Sequence, residues 1–102
     1  MIESRKSARH DVDLPATFTV RGETIETRVS NLSVGGALLA YEAKLPAAER
    51  VRLSFQIPTH PTAIDVGAVV RWCSSDAIGV QFDGLRAKEV WALNKYFESL
   101  GD

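Results

Sequence analysis

Leu14-Pro15-Ala16-Thr17-Phe18-Thr19-Val20-Arg21-Gly22-Glu23-Thr24-Ile25-Glu26-Thr27-Arg28-Val29 is the stretch that decides the fold. Leu14, Ala16, Phe18 and Val20 fall on one face of an extended chain, and Thr17, Thr19 and Arg21 on the other. After a turn at Gly22-Glu23, Ile25, Thr27 and Val29 alternate with Glu26, Arg28 and Ser30. A period of two with apolar residues on one side marks strands with one buried and one wet face.

The same pattern returns further on. Val51, Leu53, Phe55 and Ile57 oppose Arg50, Arg52, Ser54 and Gln56. Ile64, Val66, Ala68, Val70 and Trp72 form another inward set, opposed by Asp65, Gly67, Val69 and Arg71. Ile78, Val80 and Phe82 finish the series, with Gly79, Gln81 and Asp83 outward. A shorter strand is expected over 37–41. Pro46, the 58–61 segment and Ser74-Ser75-Asp76 supply turns. Six short antiparallel strands favour a barrel, because closure hides the sheet edges.

The period then changes. Val90, Leu93, Asn94, Phe97 and Leu100 recur at helical spacing, flanked by Trp91, and Gly101 provides a stop. One helix is predicted over 86–100, covering an open end or side of the barrel. The expected class is all-β: a six-stranded antiparallel β-barrel with one C-terminal α-helix. A single domain over 1–102 divides into an N-terminal segment (1–12), a barrel (13–84) and the helix (86–100).

Composition restricts function. The 102 residues carry 45% hydrophobic and 25% charged side chains with a formal charge of −1, which argues against a general nucleic-acid binder. Cys73 is the single cysteine, so no intramolecular disulfide forms and a stapled secreted scaffold is not expected. No apolar run approaches a membrane span. Met1-Ile2-Glu3-Ser4-Arg5 lacks the apolar core of a signal peptide. A cytoplasmic location without membrane insertion is the expectation.

No catalytic constellation emerges. His10 and His60 are the only histidines, neither has a partner at motif spacing, and no zinc site or cofactor is expected. Ser33 has no sequence-level base, and Asp11 and Asp13 read as strand-entry polarity. Gly35-Gly36 lacks the lysine of a P-loop and the pattern of a dinucleotide turn. An enzyme is not expected.

What remains is a signal for binding. Arg5 and Arg9 are spaced to converge on a ligand, and each guanidinium forms bidentate bridges to phosphate or to guanine O6 and N7. Asn31 and Ser33 either hold a turn through side-chain-to-backbone bonds or present donors and acceptors to a base. Gly36 either permits a positive φ or leaves room for a base or ribose.

These residues carry a family resemblance. Arg5 and Arg9 match the RxxxR element of the PilZ domain, the small receptor domain for bacterial cyclic di-GMP. Asn31, Ser33 and Gly36 match its D/NxSxxG element. Gly79-Val80-Gln81-Phe82, followed by Leu85, resembles the strand end common in that family. The resemblance implies that Arg5 and Arg9 clamp phosphate and guanine groups from a flexible segment. It implies that Asn31 and Ser33 contact a guanine, and that Gly36 keeps the turn compact. Ser4, Lys6, Gly35 and Arg71 are secondary ligand-binding candidates. Many members carry an arginine where this chain has Ser4, which favours one bound ligand over an intercalated pair.

By resemblance the chain is a non-catalytic cyclic di-GMP receptor or adaptor. It orders its N-terminal segment on the barrel and regulates a downstream partner in motility, surface polysaccharide or virulence. A ligand-independent PilZ-like interaction module is the alternative. A small barrel binding single-stranded nucleic acid, with Trp72, Tyr41 or Phe55 as stacking platforms, is a third reading.

Overall fold

A computed structural model describes residues 9–42 and 44–100. The chain runs through β1 (His10–Val20), β2 (Glu23–Leu32), β3 (Gly36–Ala40), β4 (Arg50–Phe55), β5 (Ile64–Cys73), β6 (Ala77–Phe82) and α1 (Ala87–Ser99). All neighbouring strands are antiparallel, and the order β1-β2-β3-β6-β5-β4 closes on itself. This is the barrel with one terminal helix that the alternation implies. Strand β1 starts at His10, and His10 and Asp11 already pair with β2.

The first hairpin turns one residue earlier than expected. Val20 pairs with Glu23, so the loop is Arg21-Gly22 rather than Gly22-Glu23. Both loop residues take positive φ, 53° and 79°, as a turn matched to the twist of a β-hairpin requires. Gly22 does this freely, but Arg21 does not. The Arg21 guanidinium is tied to Glu49 by contacts of 2.9 and 3.2 Å. That pairing raises the Arg21 pKa further.

Inside the barrel, Phe18, Val29, Leu39, Leu53, Val70 and Ile78 are fully buried. They come from all six strands, so the alternation of each strand feeds one core. The register shifts at three places, between Asp11 and Leu14, Val29 and Asn31, and Val70 and Trp72, and the last two break that alternation. Val29 pairs with Leu39 and Asn31 with Leu38, leaving Ser30 as an extra residue in β2. Val70 pairs with Val80 and Trp72 with Gly79, leaving Arg71 extra in β5. An extra residue reverses the facing of everything beyond it. Trp72, expected inside, is therefore outside and 45% exposed.

Helix α1 lies over the mouth of the barrel and buries Ala92, Leu93, Tyr96 and Phe97. Its first turn is closed by the Arg86 amide donating to the Glu89 carboxylate at 2.9 Å. Two contacts pin it to the rim of the mouth. The His10 ring at the start of β1 stacks on Phe97 with centroids 4.0 Å apart. Beyond the end of β4, which pairs with β1, the Thr59 hydroxyl donates to the Ala92 carbonyl at 2.7 Å.

Candidate ligand-binding face

The turn between β2 and β3 is built around Ser33, which is buried. Its hydroxyl oxygen accepts from the Gly35 and Gly36 amides, both at 3.2 Å. The Ser33 amide donates to the Gly36 carbonyl at 2.9 Å, and the hydroxyl faces that same carbonyl at 3.4 Å. The Phe82 amide then donates to the Gly35 carbonyl at 2.8 Å, tying the turn to β6. Ser33 thus takes the first of its two sequence readings: it holds the turn.

Gly36 is needed for a reason neither sequence alternative named. Its φ is not positive, unlike those of Gly22 and Gly84. A Cβ at this position would collide with the Val80 carbonyl oxygen on the paired strand. The glycine lets β3 and β6 approach beside the turn, and Gly36 faces Gln81 there.

Asn31 is turned to the outer surface by the bulge at Ser30. Its side-chain nitrogen donates to an Asp11 carboxylate oxygen at 3.2 Å, and the two residues face each other across β1 and β2. Asp11 is therefore part of the site's framework, although the sequence suggested only strand-entry polarity. Its pairing with Asn31 was detectable only from the register.

From Asn31 one row of residues crosses the sheet. Asn31 faces Leu38, Leu38 faces Gly79, and Gly79 faces Trp72. Three strand spacings of about 4.8 Å place the two ends of the row roughly 14 Å apart along the backbone. The Trp72 indole closes much of that gap because it lies over Gly79, where a Cβ would collide with the ring. The result is a flat apolar surface with an amide at one end and an aromatic face at the other. The sequence named Trp72 as a stacking candidate only for single-stranded nucleic acid and placed it on the inward phase, because the bulge leaves no simple compositional sign.

Arg9 is exposed and immediately precedes His10, whose strand position faces Leu32 beside the turn. The backbone thus brings residue 9 to the strand end next to the Asn31 row. Arg71 is exposed at the bulge, and Gly35 is exposed in the turn. Arg5, Lys6 and Ser4 lie outside the described residues. Of the other stacking candidates, Phe55 is in the core, and Tyr41 is half-buried with its ring edge-on to Phe18 at 5.1 Å.

The architecture is that of a small closed barrel with a helix over one mouth and a polar-aromatic face beside it. The PilZ domain model matches residues 3–99, and the chain belongs to the PilZ family. No match was found among curated proteins. Among solved structures, the Bacillus subtilis inhibitor of motility MotI/DgrA is similar at 25% identity and a TM-score of 0.81, over 93% of this chain and 50% of that one. Borreliella burgdorferi PlzA, solved in complex with c-di-GMP, is similar at 20% identity and 0.72, over 92% of this chain and 41% of that one. The PilZ domain of Escherichia coli YcgR, solved with c-di-GMP, is similar at 11% identity and 0.75, over 96% and 95%. The chain thus spans half or less of MotI and PlzA.

Proposed function

We propose that this protein is a non-catalytic receptor for cyclic di-GMP that acts as an adaptor toward another protein. The observation that carries the reading is the outward turning of Asn31 and Trp72 onto one face, beside the exposed Arg9. An amide hydrogen-bonds a base edge, an indole stacks on a base plane, and a guanidinium meets phosphate or guanine N7 and O6. Those are the chemistries a cyclic guanine dinucleotide presents. Membership of the PilZ family and the c-di-GMP held by PlzA and YcgR support the same ligand.

In this mechanism Arg5 and Arg9 clamp the ligand, with Lys6 and Ser4 adjoining them. Asn31 contacts a guanine, and Trp72 backs the base. Ser33 and Gly36 fix the turn that sets the position of Asn31, and Gly35 and Arg71 border it. Binding draws the segment before His10 onto the barrel and changes the surface offered to a partner. No step of bond making or breaking is involved, and no cofactor is needed. The inhibitor of motility among the similar structures favours a motility protein as partner.

Calorimetry with cyclic di-GMP tests the assignment. Saturable binding is expected, weakened at least roughly tenfold by Arg5→Ala or Arg9→Ala, since hydrogen bonds to charged groups contribute about 1.5–3 kcal/mol each. His60→Ala, in the loop after β4, leaves binding unchanged. Absence of binding at tens of micromolar ligand overturns the reading.

A further inference from the structure

On the side of the mouth away from the turn at Ser33, helix α1 and the 58–63 loop enclose a groove. The ring order places the β2–β3 and β4–β5 connections opposite one another, with α1 between them. Two open depressions, of about 580 and about 470 Å3, meet at Trp91 and Thr59. Each is in the range that holds a small ligand or an inserted side chain. Pro61, Ala87 and Ala92 line the larger one with Trp91. Trp91 is 61% exposed, an unusual condition for the side chain that most often anchors an interface.

Around Trp91 the groove is lined by two lysines, Lys88 and Lys95, and one carboxylate, Glu98. Lys88 and Lys95 stand three residues before and four after it, on the same helical face. Lys95 lies over the indole at 5.8 Å from the ring centroid. It also reaches Glu98 at 3.6 Å, an exposed pair that an incoming carboxylate can replace at little cost. This cationic rim contrasts with a chain whose formal charge is −1.

We infer that this groove binds an acidic segment of a partner protein, which seats one large apolar side chain against Trp91 and places carboxylates on Lys88 and Lys95. The purpose of the contact rests on the adaptor reading, whereas the contact itself needs no nucleotide. An anionic membrane is a poorer match: two lysines contribute only about 1 kcal/mol each at such a surface. The groove is also concave, where insertion into lipid calls for a protruding apolar face.

The test is selection of a displayed random-peptide library on the full chain, with Trp91→Ala and Lys88→Glu/Lys95→Glu as counter-targets. Enriched peptides should carry Asp or Glu around a Leu, Phe or Trp. A synthetic copy should bind the parent at least roughly tenfold more tightly than either variant. Both variants alter exposed side chains, and unchanged thermal unfolding shows that they are folded. No enrichment, enrichment without acidic residues, or equal binding by Trp91→Ala overturns the inference. Trp91-dependent binding to phosphatidylglycerol vesicles, or Trp91-dependent self-association in sedimentation, in place of peptide binding, does the same. Cyclic di-GMP calorimetry on the parent chain keeps the readings apart. Nucleotide binding without any enriched peptide overturns the groove alone, and Trp91-dependent peptide binding without nucleotide binding overturns the receptor reading alone.

Discussion

The indole of Trp72 lies across Gly79 on the neighbouring strand, occupying the space that any larger residue's Cβ would need. An aromatic ring over a cross-strand glycine shields backbone and is itself held flat. Replacing Gly79 by alanine therefore lifts the ring from the sheet. The expected result is a red shift of tryptophan emission, read in a Trp91→Phe background so that Trp72 is the sole reporter. Trp72→Ala should weaken cyclic di-GMP binding about tenfold, the lower part of the range of about 1–3 kcal/mol for stacking on a base. Unaltered affinity in Trp72→Ala would remove the indole from the ligand face.

The turn at Ser33 makes a separate prediction. Ser33→Ala leaves the Gly35 and Gly36 amides without their side-chain acceptor. A loss of roughly 1 kcal/mol is expected, lowering Tm by about 4–8 °C. Gly36→Ala drives a methyl group into the Val80 carbonyl oxygen and should cost about 1–3 kcal/mol. Thermal unfolding of the two variants checks both. If Gly36→Ala is as stable as the parent, the close approach of β3 and β6 is not what requires glycine.

Tyr96 provides a prediction in pH. The side chain lies on the buried face of helix α1, and desolvation raises its pKa above the ordinary 10.0. The unfolded tyrosine loses its proton first as pH rises, so the unfolded state binds fewer protons and stability falls. The Tyr96 contribution is complete below pH 10 and declines as pH climbs through the raised folded value. Denaturant titrations between about pH 9 and 11 should show a shallower decline for Tyr96→Phe than for the parent. Parallel curves would show that the hydroxyl is not desolvated.

Thr59 predicts how the helix is held. Thr59→Val keeps the shape of the side chain but removes the donor to the Ala92 carbonyl. Hydrogen exchange in α1 should quicken, with a stability loss of about 0.5–1.5 kcal/mol. Unchanged protection across Trp91–Phe97 would show that burial alone pins the helix.

Much of this was legible in the chain. Five inward-facing rows were readable because each strand buries one face against a common core, which leaves a period of two. The terminal helix announced itself through the spacing of Val90, Leu93 and Phe97. The facing of Trp72 was not legible, because a bulge at Arg71 is a pairing relationship with β6 and has no local motif. The partnership of Asp11 with Asn31 was hidden for the same reason: twenty residues separate them, and only strand register brings them together. The motif glycine was found at position 36, but its cause lay on another strand, in the Val80 carbonyl.

The supernumerary residues at Ser30 and Arg71 make spacing a functional quantity in this domain. Deleting Arg71 would point Trp72 into the close-packed core, although every other letter of the chain stayed the same. A column-by-column comparison that ignores a one-residue gap at such points assigns the residues beyond it to the wrong face of the sheet.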